Sequence, residues 1–389
     1  MERKNGGDEI RVSSEQLRSD TPVVAGSLSR TQAYRPPEHK TTLGAVRLTR
    51  GAVPELSLHD EINAAAERVL IHGIKQQARS ALNVATNAIS DVIREARTRG
   101  TLDLTALNSC IDGLVDSILE CPNVLLWHIR ADENPRHFPH RSVGCAVYSI
   151  AFGRQLGYGH EMLKQIAIGG LLMDIGKADV PVPLLAKPTE LNSAERSFVE
   201  RHVDRGFDMV KVIGGISSIV LEMILGHHER LDGSGYPQGL LGTRIPLLGR
   251  IAAIVDTFDA LTSDRYYASA MSGHAALRYL SDERGTKFDS ALVDKFVSAV
   301  GIYPTGTWVE MLNGSTGIVC AQNPERPLQP YIAMMLDEFD APLEHAIISE
   351  PQRALEIARV LEPGTHLKDA EMMEIMLEGA PQSQIYATA

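Results

Sequence analysis

The sequence has few cysteines, no long apolar run and no excess of positive charge, and each shortage narrows what the chain can be. Four cysteines, at 110, 121, 145 and 320, stand without a C-x-x-C pair, so neither a disulfide framework nor a thiolate zinc site is suggested. A reducing cytosol fits this usage. No apolar stretch approaches the roughly 20 residues that span a bilayer, and no apolar segment follows the N-terminal Lys and Arg residues. The chain therefore reads as cytoplasmic, without membrane contact. With 38 basic against 49 acidic residues the formal charge is −11, which argues against broad affinity for DNA, RNA or anionic lipid. An anionic ligand needs a local positive site. No P-loop, Rossmann glycine fingerprint or G-x-S-x-G elbow accompanies a suitable strand and helix, and there is no internal repeat.

What is present is a globular chain of 389 residues, 44% of them hydrophobic, enough for two or three packed units. Residues 1–57 mix Gly, Ser, Pro, Arg and Thr without sustained periodicity and read as a disordered leader. From Leu58 to Arg99 apolar residues recur at helical spacing, giving one long helix or two divided near Gly73; a second pattern runs from Leu104 to Ile118. Residues 58–125 thus form a helical N-terminal region. Residues 126–305 continue as helices with punctuated loops. Asn192 with Glu195 three places on predicts a capped helix start for a segment that carries His202 and runs to about Val212. A helix from Ile216 to Gly226 delivers His227 and His228, and one from Leu247 to Thr262 puts Asp256 and Asp259 near one face. After residue 305 the pattern changes: Trp308 to Leu312, an Asn313-Gly314 turn and Thr316 to Cys320 predict a hairpin, with a third strand over Tyr331 to Leu336. Residues 306–389 read as a small β-containing extension.

Imidazoles and carboxylates at the ends of adjacent helices suit a divalent ion of moderate hardness, and His140, Asp174, His202, His227, His228 and Asp256 are the candidates. The run His227-His228-Glu229-Arg230-Leu231-Asp232-Gly233-Ser234-Gly235-Tyr236-Pro237 resembles the H-H-E-x-x-D-G-x-G-Y-P signature of the HD-GYP family, bacterial phosphodiesterases of cyclic di-GMP. Asp174-Ile175-Gly176-Lys177 is similar to the end of that family's H-D-x-G-K motif, and Asp256 to Arg265 to its D-x-F-D-A-L-T-x-x-R segment. The resemblance covers about residues 130–305 and implies an all-α HD-type helical domain. It implies one metal on Asp174, His202, His227 and His228 and a second on His140, the bridging Asp174 and Asp256. Iron or manganese is the expected ion, one or two per site. Asp174 and Lys177 would carry catalysis, while Lys177, Tyr236 and Arg265 would contact cyclic di-GMP. Tyr236 reads equally as a turn aromatic that packs its loop. The G-Y-P loop is implied to contact diguanylate-cyclase domains, and a homodimer stays open.

This chain departs from the family pattern. Met173 stands where the motif has His before Asp174; a thioether is a weak ligand for such ions and here reads as the core-filling end of an apolar helix. His137 rivals His140 as the first ligand, because the helix register across Pro139 is open. Arg136, four before His140, argues against a third metal, and Ala268 replaces a basic residue found in many family members. The expected function is a metal-dependent cyclic di-GMP phosphodiesterase, giving the linear dinucleotide or GMP, with an incomplete metal site. The alternative is an inactive receptor or protein-interaction module.

Overall fold

The computed structural model describes residues 58–130, 138–213, 215–264, 270–349 and 356–362. The expected leader, and with it Arg136, His137, Arg265 and Ala268, lies outside them. Helix α1 (Leu58–Arg99) is continuous through Gly73, and α2 (Thr105–Glu120) follows. In α2 the buried Leu107, Ile111, Leu114, Val115 and Ile118 recur every three or four residues and form one apolar stripe. Then come α3 (Pro122–Arg130), α4 (Phe138–Gln155) and α5 (His160–Leu172). Helix α4 is buried without interruption from Ser142 to Gly153, as a helix surrounded by others must be.

Past α5 the chain turns through a 3-10 segment at Ile175–Asp179, a short α6 (Val182–Leu185), α7 (Ser193–Glu200) and α8 (His202–Lys211). The expected helix from Asn192 to Val212 is thus two. Its start is as expected: the Asn192 side chain accepts from the Glu195 amide while Glu195 accepts from the Asn192 amide. The break falls at Arg201, where the Val199 carbonyl takes the Arg201 amide and lies 2.8 Å from His202 Nδ1. Next are α9 (Ser218–Gly226), α10 (Leu247–Thr262), α11 (Gly273–Asp282) and α12 (Ser290–Val300).

One apolar core runs from Ala78 of α1 to Val300 of α12 and includes Met173. The N-terminal helices are therefore not a separately packed unit; α1 and α2 bury their stripes against α4 and α5. The C-terminal region is an antiparallel sheet of β1 (Trp308–Met311), β2 (Thr316–Ala321), β3 (Tyr331–Leu336), β4 (Pro342–Ser349) and β5 (Ile357–Val360), in the order β4-β3-β2-β1-β5. The first hairpin pairs Trp308 with Ile318 and Glu310 with Thr316. Its turn is closed by Asn313, whose side-chain oxygen accepts from the Ser315 amide and hydroxyl, and by Gly314 at φ 89°. The sequence pattern missed β4 and β5. Trp127 of α3 lies in the sheet's core with Trp308, Ile318 and Leu336.

Candidate metal centre

Two close backbone approaches build the site. A Cβ on Gly176 would lie 1.9 Å from the His202 carbonyl oxygen, and one on Gly226 would lie 2.4 Å from Gly249 Cα. Glycine at these positions lets the 3-10 segment seat against α8 and α9 against α10. Asp174, which precedes the 3-10 segment, is thereby held against His202 at the start of α8, and His228, beyond α9, faces Asp256 on α10.

Asp174, His202, His227 and His228 each offer one ligand atom, and these atoms all lie within 4.8 Å of one another. His202 Nδ1 lies 2.8 Å from the Val199 carbonyl and His227 Nδ1 2.7 Å from the Ile224 carbonyl. A carbonyl only accepts, so in the neutral rings each Nδ1 carries the proton and each Nε2 presents a lone pair. Those two Nε2 atoms stand 3.2 Å apart, and 3.2 Å and 3.5 Å from Asp174 Oδ1. The tautomers rule out reading the 3.2 Å approach as an imidazole hydrogen bond. Asp174 Oδ1 is buried and has no hydrogen-bond partner among the described residues. Three buried lone pairs aimed at one point repel unless a cation lies among them, so this set fits a divalent ion.

The protonation states agree. Burial holds the His202 imidazole below its ordinary pKa and His228 well below it, as a neutral ligand requires. At Asp174 burial disfavours the charge, but the Lys177 ammonium, 2.6 Å from its Oδ2, helps hold the carboxyl well below the usual range.

The other expected residues fall around this centre. Asp256 Oδ2 is 3.7 Å from His228 Nδ1. His140, on α4, is not in the converging group; its neighbour Arg141 faces Asp256, with Nη2 3.3 Å from Asp256 Oδ1 and Nε 3.0 Å from Asp259 Oδ2. Sequence reading missed Arg141. The available signal was a cation at the head of an apolar helix, with two acids on another apolar helix: buried charges need partners. Tyr236 stacks on His228 with ring centroids 4.5 Å apart, so it packs the loop while one edge reaches a cavity of about 890 Å³.

The Gly-rich loop holds itself in place. Buried Glu229 accepts the amides of Gln238 and Leu240 with its two oxygens, and Arg230 reaches back to the His227 carbonyl and the Thr257 hydroxyl. The cavity it borders is also walled by α1, through Arg94 and Arg97, and receives Lys177, Lys187 and Arg196. Arg97 Nε bonds the Ala178 carbonyl and ties α1 to the 3-10 segment. These cations line the opening beside the acids Glu190, Glu200, Asp256 and Asp264.

Residues 126–292 match the family described as HD domain. The chain is 34% identical over 275 residues to the cyclic di-GMP phosphodiesterase PA4108 of Pseudomonas aeruginosa, covering 71% of this chain and 65% of that one. It is 41% identical over 144 residues to the cyclic di-GMP phosphodiesterase response regulator RpfG of Xanthomonas campestris, covering 36% and 37%. It is likewise 41% identical over 146 residues to 3'3'-cGAMP-specific phosphodiesterase 1 of Vibrio cholerae, covering 37% and 33%. This chain therefore spans less than two thirds of each of these relatives. Among the described residues no helix is long and apolar enough to cross a membrane.

Proposed function

We propose that this chain, whose residues 126–292 match the HD domain family, is a metal-dependent phosphodiesterase of cyclic di-GMP. The observation that carries the proposal is the convergence of Asp174 Oδ1, His202 Nε2 and His227 Nε2, with His228 beside them, on a point that only a cation satisfies. Imidazole with carboxylate suits iron or manganese. A divalent ion held there would supply Lewis acidity, making a water more acidic and neutralising phosphoryl charge. Hydrolysis adds the oxygen of a water to phosphorus and breaks the bond to a ribose oxygen, which leaves with one of that water's protons, giving the linear dinucleotide.

The chain's own residues do the rest. Lys177, beside Asp174 and on the cavity wall, offers a cation to a phosphate oxygen and fixes the Asp174 carboxylate. Arg94, Arg97 and Arg196 face the same cavity, which is of the size that encloses a small-molecule ligand. Tyr236 bounds the ligand space and keeps His228 oriented. Arg265, outside the described residues, is assigned to the phosphates by the family motif. The loop's exposed outer edge, at Asp232, Ser234 and Leu241, is the surface on which a diguanylate-cyclase domain would dock.

The test is anaerobic turnover of cyclic di-GMP by the iron- or manganese-reconstituted chain, with 3'3'-cGAMP run in parallel. Release of linear dinucleotide is expected, with loss of at least about 100-fold in Asp174→Asn, which removes a ligand charge. Tight binding without turnover would instead establish a receptor.

A further inference from the structure

We infer that Arg141 takes the place of a second metal ion, so that the centre holds one ion per chain and the guanidinium supplies the second positive charge to the phosphodiester. This rests on the phosphodiesterase reading for the substrate but not for the ion count.

Four observations meet here. Arg141 bonds both Asp256 and Asp259, at 3.3 and 3.0 Å, from a side chain only 18% exposed. Asp256 is the carboxylate that a second ion would require, and it is shared between Arg141 on one oxygen and His228 on the other. Gly144, one turn after Arg141, leaves space for the other acid: a Cβ there would lie 2.6 Å from Asp259 Oδ1. Met173 is buried within the apolar core and gives the centre no charge or strong donor.

A guanidinium keeps its charge at any physiological pH and presents several donors in one plane. Held by two carboxylates, it cannot leave the site without leaving both of them buried and without this partner. A second divalent ion would therefore meet a fixed positive charge and an occupied carboxylate. Because Arg141 also lines the cavity, its cation is available to a phosphate beside the metal, where it is a catalytic residue by contact with substrate.

The test is a metal count on the full chain by mass spectrometry after manganese reconstitution and desalting, with turnover measured on the same sample. One ion per chain is expected, rising to two when Arg141→His and Met173→His are combined. Two ions in the native chain, or still one in the folded double variant, would overturn the inference. Should the double variant fail to fold, the native count still decides. One ion without hydrolysis would remove the phosphodiesterase reading and leave the ion count standing; no ion at all would remove the metal centre itself. In Arg141→Gln, kcat is expected to fall by about 100-fold with the ion count unchanged, and Arg141→Lys is expected to recover part of it; full activity in Arg141→Gln would refute the catalytic role.

Discussion

Each ligand side chain is oriented by a partner outside the ligand set. The carbonyls of Val199 and Ile224 choose the tautomers of His202 and His227, and Lys177 occupies the Asp174 oxygen that does not face them. Glu229 belongs to the same logic: its buried carboxylate takes two loop amides, those of Gln238 and Leu240. Glu229→Gln turns one acceptor into a donor facing an N–H. We expect it to cost about 1–3 kcal/mol in denaturant unfolding while leaving the metal count intact; an unchanged midpoint would show that the loop is held by other means.

The elements matter through how closely they approach. Helix α8 begins at His202 because the chain breaks at Arg201, and a straight helix from Asn192 would not have freed the Val199 carbonyl for the imidazole. Gly176 fixes the other side of this contact. In Gly176→Ala the added methyl meets the His202 backbone, which cannot move away as a side chain could. The expected result is a loss of about 1–3 kcal/mol in stability and about a tenfold or greater loss of manganese affinity by titration. A variant of native affinity would mean that Asp174 and His202 are positioned independently of this crossing.

The whole chain is tied together more tightly than its pattern suggested. The core passes through α1 and α2 without a seam, and α1 carries Arg94 and Arg97 to the cavity, so anything that moves α1 moves a wall of the ligand space. The sheet is anchored likewise by Trp127, a helix residue with its ring in the sheet's core. Trp127→Ala is expected to cost about 3–5 kcal/mol, lowering the unfolding midpoint of the entire chain in a single transition. If the sheet melted alone and the helical core kept its native midpoint, the two would be independent units.

The sequence by itself determined the helical class, the limits of α10, the capping box at Asn192, the first hairpin with its Asn-Gly turn, and the four residues Asp174, His202, His227 and His228. These were legible because periodicity, capping chemistry and ligand chemistry are local, and because a long motif resembled a known family. Only the tertiary structure decided that Arg141 faces Asp256. One residue along a helix turns a side chain by about 100°, so the register after Pro139 settles which side chain reaches Asp256, and that register is fixed by packing of α4 against its neighbours. For the same reason the β4 and β5 strands and the α1 wall went unread. Their positions depend on partners distant in the chain, which no local pattern encodes.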